Sequence, residues 1–179
     1  YRRRQTPLGR LLDDARAAQP VPDPVQEIKP PALDKEVVRA SAEAELTAYL
    51  ARGTPLALPA AERPRVSVLL VLFNQAGLTC ACLEALARET EIAFETIIVD
   101  NASTDRTPAL LERLTGATVI RNATNEGFLL AGNRAARAAQ GEFLLLLNND
   151  AVVQPDTLAA AVRRMDQDPK VGAVGGAIL

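Results

Sequence analysis

From residue 66 onward, short apolar runs alternate with stretches whose apolar residues recur every three or four positions, the pattern of strands followed by amphipathic helices. Residues 66–73 read as a strand from their length and β-branched content. Residues 78–88 read as a helix with Leu83 and Leu86 toward a sheet, and 94–99 as a second strand. Pro108 suits the first turn of a further helix, with Leu110, Leu111 and Leu114 on its buried side and Gly116 as its stop. Residues 118–120 read as a third strand and 129–139 as a helix ended by Gly141. A fourth strand, buried on both faces, is predicted over 143–147, a helix over 155–165, and the opening of one more strand over 171–179. This alternation predicts an α/β fold, a mostly parallel sheet flanked by helices.

The first 61 residues read differently. Leu8, Leu11, Leu12 and Ala15 suggest a short amphipathic helix, and the prolines between Pro20 and Pro31 suggest an extended linker. Asp34 is placed to cap a second helix carrying Val37, Ala40, Ala44 and Leu50, which Gly53 and Pro55 end. The sequence therefore divides into a helical arm with a Pro-rich linker, residues 1–61, and an α/β domain, residues 62–179.

Composition narrows the chemistry. The chain has 179 residues, no His and a formal net charge of −2. Without His there is no Ser-His or Cys-His nucleophile pair, and without a basic surplus there is no field to gather nucleic acid. Cys80 and Cys82 lie two apart on a predicted helix, where their side chains diverge, so they read as small buried hydrophobes rather than a disulfide. No apolar run approaches the roughly 20 residues needed to span a bilayer, and no secretory signal is evident, so a cytoplasmic location is expected. That location extends to the cytoplasmic face of a membrane for a longer protein. The ending in an apolar run suggests that the chain continues beyond Leu179 in its native form, and an open sheet edge or the arm suggests self-association.

In parallel sheets ligands bind beyond the carboxyl ends of the strands. The fourth predicted strand runs directly into Asn148, Asn149 and Asp150, oxygen donors that suit Mg²⁺ or Mn²⁺ held jointly with a phosphate, or else a polar turn. The second ends in Asp100, able to accept from a ribose hydroxyl or a base N–H, followed by Ser103 to Asp105 as turn and cap residues. The first ends in Phe73 and Asn74. After the third come Asn122, Asn125 and Gly127, then Arg134, which could lie over a diphosphate or face solvent. Neither a G-x-G-x-x-G nor a G-x-x-x-x-G-K-[ST] run is present, which counts against a nicotinamide-binding Rossmann domain and excludes a P-loop NTPase.

The blocks VSVLLVLFN, IIVDNASTD and NEGFLLAGNRAARAAQGEFLLLLNND, in this order, resemble the nucleotide-binding half of the family 2 glycosyltransferases of GT-A fold, over about residues 65–179. The resemblance implies transfer of a sugar from a nucleoside diphosphate donor, UDP- or dTDP-linked, to a glycan or lipid-linked acceptor hydroxyl with inversion, in cell-surface glycan synthesis. It also implies that Asp100 contacts the base, that Phe73 and Asn74 line the nucleoside pocket, and that Asn125 and Gly127 belong to the loop near base and ribose. Asn148 to Asp150 correspond to the D-x-D metal motif. Here that motif keeps one carboxylate, Asp150, so a divalent ion should bind weakly without donor phosphates. The family's general base lies beyond the position matching Leu179, so this chain is expected to carry the donor-binding half and to be inactive alone. Two rivals are a sugar-1-phosphate nucleotidyltransferase, whose Gly-rich signature loop is missing after the first strand, and a non-catalytic binding or assembly module.

Overall fold

The structure, a computed structural model, describes residues 34–89 and 91–176. The amphipathic helix and Pro-rich linker expected before residue 34 lie outside the described residues. The first element, α1 (Lys35–Arg52), begins where the Asp34 side chain accepts the Glu36 N–H at 2.9 Å and ends at left-handed Gly53. Then follow β1 (Leu56–Ala57), β2 (Val66–Leu72), α2 (Ala76–Ala87), β3 (Phe94–Asp100), α3 (Thr107–Leu111), β4 (Leu114–Thr115), β5 (Ala117–Arg121), α4 (Gly127–Ala138), β6 (Phe143–Leu147) and α5 (Thr157–Gln167).

The main sheet has the order β5-β3-β2-β6 and every pairing in it is parallel. Leu72, Asp100 and Arg121 stand side by side at its carboxyl edge, while Leu147 pairs with Leu70. Side chains alternate between two cores, as the pleat requires. Val68, Leu70, Leu72 and Ile98 pack with Leu83 and Leu86 of α2, Leu110 and Leu111 of α3, and Leu158 and Val162 of α5. Leu69, Ile97 and Val99 face the other way onto Ala131 and Ala135 of α4, whose small side chains let the helix lie close to the strands.

Several elements depart from the sequence expectation. The buried face of α1 is Ala42, Leu46 and Tyr49, whereas Val37 is 65% exposed and Ala40 and Ala44 are exposed. The inward stripe is set by what α2 offers: Gly77 sits so close that a Cβ there would lie 2.8 Å from the Ala42 carbonyl carbon. Residues 34–61 accordingly pack in one compact unit with the α/β layer. Leu114 is not on the helix of Leu110 and Leu111, because α3 ends at Leu111 and Leu114 joins β4, which pairs in parallel with β1. β6 is not buried on both faces. It is the last strand of its sheet, and Leu144 and Leu146 are 49% and 60% exposed. Residues 171–176 form no strand, so nothing among the described residues pairs with the outer edge of β6.

Candidate donor site at the strand ends

The chain order of the main sheet reverses at β2: β3 and β5 lie on one side of it and β6 on the other. The loops leaving β2 and β6 therefore diverge, and they open a crevice at their carboxyl ends, the usual place for a ligand in such sheets.

Asn74 is the residue that ties this edge together. It and Gln75 both adopt left-handed backbone, with φ of 61° and 63°, which turns the chain sharply off β2 into α2. The turn is held from two sides, the loop after β3 and the end of β6. Asn74 N–H donates to Ser103 Oγ at 2.8 Å, and Asn74 Oδ1 accepts from the N–H groups of Thr104 and Asp105 at 2.8 and 3.3 Å. From the β6 side, Asn149 Nδ2 donates to the Asn74 carbonyl at 3.4 Å and to Thr79 Oγ1 at 3.0 Å. The carboxamides of Asn74 and Asn149 thus join the loops after β2, β3 and β6.

Asp100 ends β3 almost fully buried. Its Oδ1 accepts the Ser103 N–H at 3.0 Å and its carbonyl accepts the Asn122 N–H at 2.8 Å. The turn that follows is closed by Asp105, whose carboxylate accepts from Thr107 N–H and Ala76 N–H, both at 2.9 Å. Burial pushes the Asp105 carboxyl up, but the hydrogen bonds it accepts from the backbone N–H groups of Thr107 and Ala76 outweigh it, and the acidity of Asp105 is increased.

The loop after β5 is anchored by amides. Asn101 Nδ2 donates to Asn125 Oδ1 at 2.7 Å, while Asn101 Oδ1 accepts from Asn122 Nδ2 at 2.9 Å and Glu126 N–H at 3.0 Å. Arg134 bonds Asn122 Oδ1 and reaches Glu126 at 3.4 Å. Its guanidinium is therefore committed to this loop rather than laid over an open diphosphate site. Gly127 has φ of 78° and open space where a Cβ would stand, so its backbone faces outward unshielded. The sequence reading passed over the hub role of Asn101. Its place immediately after Asp100 at a strand tip was the one available signal.

At the end of β6, Asn148 and Asp150 are exposed and Asn149 is half-buried. The Asn148 carbonyl accepts from the Cys82 thiol at 3.7 Å. Burial, reinforced by the Asp150 charge, pushes the Cys82 thiol up to about 12, and burial with Glu84 and Glu45 raises Cys80 to about 11. Both thiols are buried and stay protonated at neutral pH, as small hydrophobes rather than nucleophiles.

Among the described residues, no three acidic, Cys or His side chains gather into a cation cage. A Mg²⁺- or Mn²⁺-type ion is ordinarily held by one or two carboxylates plus substrate phosphates. Asp150 is an exposed carboxylate at the end of β6 that such an ion could use.

Two cavities bear on the site. One of about 490 Å³ opens at the strand ends, lined by Phe73, Asn74, Gln75, Leu78 and Asp105, with Arg39 and Glu43 from α1. The Phe73 side chain is 48% exposed there, a large aromatic face open at a strand tip. The other, about 660 Å³, is an apolar trough along β6 and α5 and contains none of the predicted site residues.

Comparison with known proteins decides the family. The sequence profile described as Glycosyl transferase family 2 matches residues 67–178. The chain belongs to this family.

A relative from Mycobacterium bovis (strain BCG / Pasteur 1173P2), a PGL/p-HBAD biosynthesis glycosyltransferase, is 37% identical over 105 residues, 54% of this chain and 40% of the relative. The O-antigen biosynthesis protein RfbC of Myxococcus xanthus is 33% identical over 153 residues, 83% of this chain and 12% of its own. At that coverage the match necessarily reaches back over α1. Among solved structures, the mannosyltransferase PcManGT from Pyrobaculum calidifontis, in complex with GDP-Man and Mn²⁺, has a TM-score of 0.55 and 29% identity, covering 76% of this chain and 43% of that one. TarS 1-349 of S. aureus has a TM-score of 0.53 and 29% identity, covering 57% of this chain and 32% of that one. These neighbours share the GT-A sheet. The chain spans well under half the length of each of these proteins. No helix among the described residues is long and apolar enough to cross a membrane.

Proposed function

We propose that this chain is the donor-binding part of an inverting, metal-assisted glycosyltransferase that moves a sugar from a nucleoside diphosphate to an acceptor hydroxyl in glycan synthesis. The observation that carries the reading is the joining of the β2, β3 and β6 loops through Asn74 and Asn149, with Asp150 exposed at one end and Phe73 at the other. Family membership and the glycan-biosynthesis names of the relatives support it. So does the GDP-Man and Mn²⁺ in the Pyrobaculum neighbour.

Each residue then has a task. Phe73 offers a face on which a base can stack. Asp100 uses only Oδ1 within the protein, among the described residues, and its carboxylate accepts a base N–H. A ring N–H beside a carbonyl belongs to uracil, thymine or guanine, so UDP, dTDP and GDP are the donors to test. Gly127 and Asn125 present the loop beside base and ribose, and Asn148 to Asp150 border the diphosphate. A divalent ion at Asp150, when bound, neutralises charge on the diphosphate leaving group. In the transfer, the anomeric carbon–oxygen bond to the diphosphate breaks as the acceptor oxygen bonds from the opposite face. The acceptor's proton passes to a base that no residue described here supplies.

The test is calorimetric titration of UDP, dTDP and GDP with and without Mn²⁺. The expected result is metal-dependent binding of at least one nucleotide, abolished by Asp150→Ala and weakened about tenfold or more by Asp100→Asn. Binding that neither substitution changes would overturn the assignment of the site.

A further inference from the structure

Helix α1 precedes the segment that defines the family, yet it is built into the strand-end cavity. Three groups lock it there. Glu43 Oε1 accepts the Gly77 N–H at 3.1 Å, Arg106 bonds both Glu43 and the Thr47 hydroxyl, and the Tyr49 hydroxyl accepts Leu56 N–H and donates to the Arg113 carbonyl at 3.0 and 3.2 Å. With α1 held this way, Arg39, one turn before Glu43, reaches the wall of the cavity that Phe73 and Asn74 also line. Glu43 is neutralised by Arg106, and the Asp105 carboxylate is spent on backbone N–H groups. Arg39 is exposed and makes no ion pair or side-chain hydrogen bond among the described residues, so its five N–H donors are available to a ligand.

We propose that Arg39 is a nucleoside-recognition residue, donating hydrogen bonds to the carbonyl oxygens of a base stacked on Phe73. This rests on the donor-site reading above. The base is the partner because the exposed aromatic face of Phe73 lines the same cavity as Arg39. Arg39 donating to a ring carbonyl selects bases that carry one, such as uracil, thymine or guanine. Adenine presents an amino donor and a ring acceptor in the opposite sense.

The experiment compares wild type, Arg39→Ala, Arg39→Lys and Asp150→Ala in calorimetric titrations of UDP, GDP, ADP and the monophosphates UMP and GMP. Circular dichroism melting of each variant checks the fold, which removal of an exposed, unpaired Arg should leave unchanged. Arg39→Ala is expected to weaken the preferred nucleotide about tenfold, equally for mono- and diphosphate, and to narrow its preference over ADP, with Lys restoring part of the loss. Wild-type affinity in Arg39→Ala overturns the role of Arg39, and if Asp150→Ala still loses metal-dependent binding the donor site stands without it. A loss confined to the diphosphate also overturns the proposal, since it would place Arg39 on the phosphates. A wild-type chain that binds none of these nucleotides overturns both the donor site and the role of Arg39.

Discussion

At the scale of single residues, the buried and bonded carboxylates separate into two kinds. Glu89 lies almost fully buried at the end of α2, and its Oε1 has no hydrogen-bond partner. Burial raises its pKa, the backbone of Thr157 opposes this in part, and the charges of Asp156 and Glu91 add to the rise. A raised carboxylate pKa means that stability is greatest below the unfolded value, about 4.3, and is lost as pH climbs through the folded value. Glu89→Gln should remove that slope and raise the melting temperature at pH 7 by about 2–4 °C, the shift that roughly 1 kcal/mol produces in a domain of this size. Thermal melts of both proteins across pH 4 to 8 check it, and parallel curves would refute it. Asp105 behaves oppositely. Its lowered pKa stabilises the fold above about 3.9 and is lost as pH falls below that, so Asp105→Ala should cost about 1 kcal/mol at pH 7 and flatten the acid limb of the stability curve. Chemical denaturation at pH 7 and pH 3 measures both effects. The cap role of Asp105 toward Thr107 was legible in the sequence, whereas its bond from Ala76 and the approach of Asp156 and Thr157 to Glu89 were not, because those partners come from segments far along the chain.

Among the elements, α1 is the one whose role depends on a single close approach. Gly77→Ala would push a methyl group into the backbone of Ala42 and Glu43, where a Cβ would meet atoms at 2.8 to 2.9 Å. Backbone cannot rotate out of the way as a side-chain tip can, so the substitution should cost about 1–3 kcal/mol and loosen α1. Increased amide hydrogen exchange across residues 42–49, with the β2 and β3 amides still protected, would show the helix released from an intact sheet. Protection unchanged in α1 would mean that the contact relaxes cheaply. Helical character was legible from Asp34, Gly53 and the spacing between them, but of the apolar stripe Val37, Ala40, Ala44 and Leu50 only Leu50 packs against the core. A helix of alternating Ala and Glu has more than one weakly apolar stripe, and Gly77 with the Tyr49 hydroxyl contacts selects Ala42, Leu46 and Tyr49.

For the whole molecule, the decisive feature is the open β6 edge. Leu144 and Leu146 expose apolar surface beside a trough lined by Phe143, Leu145, Val162 and Met165, on a strand with no partner beyond it among the described residues. Apolar edges of this kind promote association. Light scattering should show concentration-dependent self-association, and Leu146→Lys, which places a charge on the exposed edge, should reduce it severalfold. A monodisperse monomer at high concentration would refute this.

The four strands of the main sheet with the helices between them, their parallel pairing and the placing of Phe73, Asp100 and Asp150 at strand ends followed from the sequence alone. Hydrophobic period and turn residues are local properties, and a strand that ends in polar residues marks its own tip. Which side chains serve the site and which serve the scaffold was decided only in three dimensions. Asn74 and Asn149 read as ligand contacts, yet their carboxamides bind neighbouring loops, and Arg134 is held by Asn122 and Glu126. Arg39, far upstream and without any motif, enters the cavity because Glu43 and Tyr49 fix the helix that carries it. The reason is the same in each case: a hydrogen bond or a cavity wall joins residues distant in sequence, and no local pattern records which of several possible partners the fold will bring near.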